Sequence, residues 1–158
     1  MRLYQGVHQI GVKMARGTDL FVYLFTGKNS ILLDTGIAQT PSDAVAPYLG
    51  EIGLKPSDLT LALITHGHPD HFGGNSDLKA LSPKTLLAVH HKDAGMASDP
   101  EMAMKLGNDE FRKDHDVFYW DHVKDDVWNT IRAMMGSPVP IDLLLSGGDN
   151  IPIKPFAS

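Results

Sequence analysis

Three imidazoles and a carboxylate fall within six consecutive positions. They are His66, His68, Asp70 and His71, in the run Thr65-His66-Gly67-His68-Pro69-Asp70-His71-Phe72-Gly73-Gly74. Neutral imidazole nitrogens and an ionised carboxylate are the donors that a borderline cation such as Zn²⁺ takes. The cluster therefore reads as a metal site rather than as a loop that happens to be rich in histidine. One arrangement puts His66 and His68 on a first ion, with Asp70 and His71 turned toward a second. A bound metal lowers the pKa of its water toward ~7, and a pair of ions can stabilise both the attacking and the leaving atom. The chemistry to expect is hydrolysis at a carbonyl or phosphoryl centre, with Asp70 also placed to position the water or receive a proton.

Such ligands need a rigid support. Leu61-Ala62-Leu63-Ile64 reads as a buried strand that delivers the cluster, with Gly67 lending flexibility and Pro69 stiffness between the ligands. Upstream, Leu20 to Phe25 and Ser30 to Asp34 are β-rich runs joined by Thr26-Gly27-Lys28-Asn29, which predicts a hairpin. Asp34 then stands where a buried strand meets a loop. It would either cap the following turn or accept a hydrogen bond that orients a metal-binding histidine. A helix is expected from Thr40-Pro41-Ser42-Asp43, capped by Thr40 or Ser42 and closed by Gly53, with Pro47 forcing a kink or a late start. Asn75 to Leu81 predicts a short helix stopped by Pro83, and Thr85 to Val89 another buried strand. This order gives an α/β layered fold with helices covering a sheet.

Residues 92–138 differ in texture, with both tryptophans and with Val123, Val127, Ile131 and Met135 repeating every four residues. They read as mostly helix, in two or more segments, with the Met and Trp side chains serving as core. His115 and His122 lie here without ligand-spaced partners and are expected to be solvated. His8, alone in the first extended segment, reads as a partly exposed strand histidine. Ile141 to Leu145 is a further short apolar run, and Ile151-Pro152-Ile153 starts another extended segment.

The 158 residues fit one domain, and no apolar run reaches the ~20 residues that cross a bilayer. The start, Met1-Arg2-Leu3-Tyr4-Gln5-Gly6, lacks the apolar core of a signal peptide, so the expectations are no membrane and a cytoplasmic location. With no cysteine, any metal must sit on His, Asp or Glu. A net charge of -5 argues against nucleic acid and leaves a small molecule as the expected substrate.

The His66-to-Gly74 run resembles the His-x-His-x-Asp-His signature of the metallo-β-lactamase superfamily, and Leu33-Asp34-Thr35-Gly36 resembles its earlier aspartate motif. The resemblance runs from about Val7 to Pro152 and implies the N-terminal part of an αβ/βα sandwich, with 92–138 as a helical insertion. It implies His66 and His68 as ligands of one metal, Asp70 and His71 as ligands of the other, and Asp34 as a supporting residue. The implied cofactor is Zn²⁺, up to two ions, with iron or manganese as alternatives. The implied activity is hydrolysis of an ester, thioester, lactone or amide. The family's later ligands, beginning with a Gly-His-Thr segment, have no counterpart here, although Ser146-Gly147-Gly148-Asp149-Asn150-Ile151 resembles the stretch that shortly precedes that segment. Residues 1–158 are therefore expected to form a single incomplete domain, completed by a missing C-terminal half, a partner chain or a homo-oligomer. The alternatives are a catalytically silent metal-binding or assembly module, and an iron-dependent persulfide oxygenase.

Overall fold

The computed structural model describes residues 1–13, 19–114 and 117–151, without the side chains of 108 and 110–124. The expectations for His115, for the side chain of His122 and for the segment beyond Ile151 lie outside this range.

Seven strands form one sheet whose spatial order is the chain order: β1 (Arg2–Tyr4), β2 (Val7–Lys13), β3 (Asp19–Phe25), β4 (Ser30–Leu33), β5 (Leu59–Leu63), β6 (Leu86–His90) and β7 (Leu143–Leu145). The first four pair antiparallel, and the 26–29 turn joins β3 to β4 as the expected hairpin. From β4 to β7 the pairing is parallel, so each step needs a crossover, and helices supply it. Between β4 and β5 lie a π-helical turn (Pro41–Val45), α1 (Ala46–Glu51) and a 3-10 turn (Pro56–Asp58). Helices α2 (Pro69–Phe72) and α3 (Asn75–Leu81) lead from β5 to β6. The third crossover holds α4 (Ala94–Ser98), α5 (Pro100–Asp114) and α6 (Val117–Ala133). Right-handed crossovers between strands that advance in one direction all land on the same side of a sheet.

The packing agrees. One core cluster joins Ile10, Val22, Leu24, Leu32, Ala62 and Leu87 of the strands to Val45, Leu49 and Leu78 of the helices. A second joins Ile64 and Val89 to Phe72, Ala97, Ala103 and Met135. The alternate strand residues belong to neither cluster. Tyr23 faces Leu33, Phe25 faces Ile31, and Leu33 lies beside Leu63, which continue the row toward Leu86, Leu143 and Leu145. These side chains are half-buried and Phe21 is 41% exposed, while Leu61 and Ala88 in the middle of the same face are buried, so among the described residues the second sheet face is apolar and outside both helix-packed clusters. The chain thus has the mixed α/β build of one sheet-and-helix layer of a sandwich. No helix among the described residues is long and apolar enough to cross a membrane.

One local expectation is decided, for Pro47, and two change, for the helix cap and His8. Pro47 sits in the first turn of α1, where its missing N–H costs nothing, because the π-helical turn ahead of it lets α1 begin late. Neither Thr40 nor Ser42 caps by its side chain; Thr40 Oγ1 instead accepts from the Ile37 N–H at 3.0 Å. His8 is buried, 6% exposed, with Nδ1 2.9 Å from the Tyr48 hydroxyl and Nε2 3.3 Å from Thr26 Oγ1. Burial lowers its pKa from the ordinary imidazole value, aided by Arg2 and the N-terminal ammonium, which favours the neutral ring.

Strand β7 is pinned by Asp142. Its carboxylate accepts from the Leu87 N–H at 2.7 Å and pairs with Lys79 at 2.7 Å, while its own N–H donates to Leu87 O at 3.0 Å. Burial pushes the Asp142 pKa up, but the Leu87 N–H and the Lys79 ammonium outweigh it and hold it below 3.8. A carboxyl with a depressed folded pKa contributes stability that is complete above the unfolded value and is lost as pH falls through the folded one. Asp142→Asn is therefore expected to cost about 1 kcal/mol near neutral pH, allowing for solvent screening. In urea titrations its deficit against the unsubstituted chain should close as pH drops below 3.8.

Candidate metal centre

The carboxyl ends of parallel strands are where an open α/β sheet gathers its functional loops. Here β4 ends at Asp34, β5 leads through Ile64 into Thr65 and the histidine run, and β6 ends at His90. The loops after β4 and β5 are stitched together. The Thr35 N–H donates to His71 O at 2.8 Å, the Gly74 N–H donates to Gly36 O at 3.1 Å, and Gly36 bridges Phe72. Buried Thr35 donates its hydroxyl to Asn75 Oδ1 at 2.8 Å, and Asn75 Nδ2 donates to Ala97 O at 3.1 Å, tying α3 to α4 behind the site.

Asp34 is the hub. The residue is 7% exposed, and its carboxylate accepts from the Thr65 N–H at 2.7 Å, the Thr65 hydroxyl at 3.0 Å and His71 Nδ1 at 2.8 Å. Among the described non-glycine residues it alone has a positive φ, 63°. That backbone state is uncommon outside glycine, and persistent strain of this kind gathers at functional sites where the surroundings enforce it. The Asp34 N–H is itself held by Leu63 O at 3.0 Å.

The structure brings His66, His68 and His71 together. His66 Nε2 lies 3.0 Å from His68 Nδ1, and the His66 and His71 rings are 4.0 Å apart. Asp70, in the first turn of α2, lies 3.7 Å from His71 Nε2, beyond hydrogen-bond range, with a side chain 38% exposed. Burial lowers the His66 pKa below 6.5, and the neighbouring His71 and His68 add to that against the pull of Asp34 and Asp70. A neutral imidazole is the form that ligates.

The donors fit a cation in part. Two nitrogens on a tetrahedral zinc, each ~2.0 to 2.1 Å from it, stand about 3.3 Å apart, close to the 3.0 Å of the His66–His68 pair. Among the described residues, however, no three His, Asp or Glu side chains converge tightly enough to hold an ion together. Gly67 also has a close neighbour in α4. A Cβ there would stand 2.6 Å from Met96 Cε and 3.2 Å from Asp93 Oδ1, so glycine permits the loop to lie against α4.

Three further residues border the cluster, and the role of Thr65 is the one not read from sequence. Thr65 opens the ligand run with no role read for it, yet its hydroxyl touches Asp34, His66 and His71; a hydroxyl directly ahead of the first ligand is the available signal. His90 and His91, with rings 4.3 Å apart, stand at the neighbouring strand end, where His91 Nδ1 lies 3.1 Å from Leu145 O.

A family model described as the metallo-β-lactamase superfamily matches residues 17–148. A thioesterase, pkgB of Emericella nidulans, is 35% identical over 86 residues, covering 54% of this chain and 24% of its own. The exodeoxyribonuclease WalJ of Streptococcus pneumoniae is 42% identical over 52 residues, covering 33% of this chain and 18% of its own. Among solved structures, a metallo-β-lactamase family protein from Thermus thermophilus superposes with a TM-score of 0.64 at 22% identity, over 96% of this chain and 49% of that one. The chain thus spans about half the length of this structural neighbour and a quarter or less of the curated relatives.

Asp34→Asn keeps the shape and a side chain that tolerates the left-handed backbone, but removes the charge. It is expected to lower stability by about 1 to 3 kcal/mol, since the His71 and Thr65 donors lose an ionised acceptor. Zinc affinity is expected to fall ~10 to 100-fold. Urea titration and competition with a fluorescent chelator measure the two effects; an unchanged affinity would separate Asp34 from the site.

Proposed function

The chain belongs to the metallo-β-lactamase superfamily, a family of metal-dependent hydrolases, and we propose on that footing that the protein hydrolyses a small acyl ester or thioester. The observation that carries the reading is the pair of imidazole nitrogens 3.0 Å apart at the carboxyl end of β5, backed by the Asp34 carboxylate. His66 and His68 would hold a first divalent ion, with zinc the natural choice for such nitrogens, and Asp70 and His71 would serve a second. Bound there, the metal supplies Lewis acidity toward the carbonyl and activates water near neutral pH.

The protein's own groups do the rest. Asp34 holds His71 through Nδ1, which leaves His71 Nε2 directed toward Asp70. Half-exposed Asp70 is placed to take up a proton from water and return it to the leaving group. The buried Phe72 and the close-packed Gly73 fix the helical turn that carries both residues. A thioester is favoured over a phosphodiester for two reasons: the thioesterase relative matches over more of this chain than the nuclease does, and the chain's charge of -5 repels a polyanion.

A second reading follows from the absence of a three-donor group among the described residues: a module that holds metal weakly and turns nothing over. Metal content and turnover together decide between them. The protein reconstituted with Zn²⁺ is expected to retain metal through dialysis and to cleave short acyl thioesters, with both properties removed by a chelator and restored by zinc. His66→Ala and His68→Ala should each cost more than the ~10 to 100-fold typical of losing an outer partner, with the melting temperature nearly unchanged. A metal-loaded protein inert toward esters and thioesters would leave the second reading standing. An active, metal-replete His66→Ala variant would remove His66 from the site.

A further inference from the structure

We propose that Thr65 is a positioning residue that fixes the tautomer of His66 and so decides which ring nitrogen is offered to a metal. The inference deepens the metal-site reading and rests on it. Thr65 Oγ1 lies 3.0 Å from each oxygen of Asp34, 3.0 Å from His66 Nδ1 and 3.3 Å from His71 Nδ1. A hydroxyl has one proton to donate and two lone pairs to accept with. The Asp34 carboxylate can only accept, so the hydroxyl proton goes to it. His71 Nδ1 donates to Asp34 Oδ2 at 2.8 Å, so it does not compete for that proton. What remains to Thr65 is acceptance, and the donor that meets it at 3.0 Å is His66 Nδ1.

The assignment propagates. With its proton on Nδ1, His66 carries a lone pair on Nε2, the atom that stands 3.0 Å from His68 Nδ1. In the metal-free chain His68 Nδ1–H fills that contact, because two facing lone pairs would repel. A cation that takes both nitrogens requires only that the His68 proton move from Nδ1 to Nε2, and it leaves the His66–Thr65–Asp34 contacts intact. Outer partners commonly fix the tautomer of a ligating histidine in this way. Here the device is indirect: the carboxylate acts on His66 through a hydroxyl and on His71 without an intermediary. The Thr65 N–H to Asp34 bond, 2.7 Å, holds the hydroxyl in register.

The test is nitrogen NMR of the histidine rings in the metal-free chain near pH ~8, where imidazoles are neutral, alongside zinc titration by chelator competition. The unsubstituted chain and Thr65→Ser are expected to show His66 protonated at Nδ1. Thr65→Val, which keeps the shape and loses the hydroxyl, is expected to show a mixture or the Nε2–H form, with zinc affinity about tenfold weaker. Thr65 is exposed, so both variants should fold. A Thr65→Val chain that keeps the Nδ1–H tautomer overturns the proposal, as does a Thr65→Ser chain that loses it. Failure of the unsubstituted chain to bind zinc would sink the metal-site reading instead, and the tautomer comparison would still decide the role of Thr65.

Discussion

A single buried carboxylate organises the end of the sheet. Asp34 accepts from the backbone and side chain of Thr65 and from His71, joining the loop after β4 to the loop after β5. An ionised group this enclosed is costly unless every lone pair is met, and the donors that meet it are the residues that frame the histidine cluster. Its left-handed backbone, φ 63°, is sustained by the same contacts. Strain, charge and ligand orientation are therefore coupled at one residue.

The sheet explains why the coupling is rigid. Parallel β4, β5 and β6 end at nearly the same level, and the helices that connect them are packed on one face through two core clusters. Close approaches that only glycine allows finish the frame: a Cβ at Gly73 would stand 2.0 Å from Met134 O, which puts the segment after α6 directly against the turn that carries Asp70 and His71. The third crossover therefore buttresses the site as well as connecting β6 to β7.

Much of this is legible in the residues. The apolar run before His66 is β5, the Asn75 to Leu81 helix is α3 to the residue, and the hairpin after Phe25 forms as its turn residues imply. These succeed because each is set by local periodicity and punctuation. His8 departs from expectation because its burial depends on Tyr48 of α1, 40 residues away. The close approach of Gly67 to α4 is not readable either, because it arises from Met96, distant in sequence. Thr65 gives only a weak local sign of its role, a hydroxyl ahead of the first ligand, and only the fold reveals three partners around it. The side of the sheet outside the helix-packed clusters is likewise a property of topology: alternation in β3 and β4 is weak, with apolar residues on both parities, and no single segment states which parity meets the helices.

The coincidence of chain order with spatial order bears on how the molecule assembles. Most strand pairs close short loops or short helical crossovers, whereas β7 returns through the long α4-to-α6 crossover, and Asp142 meets Leu87 across a separation of 55 residues. Loop-closure entropy grows with that span, and contacts distant in sequence are costly to nucleate. Strand β7 should accordingly be the last to dock and the first to fray, so amide exchange at Leu143–Leu145 should outpace that at Leu61–Leu63. Because the backbone N–H of His91 is held by Leu145 O, such fraying would loosen the rim beside the histidine cluster while leaving the Asp34 hub closed.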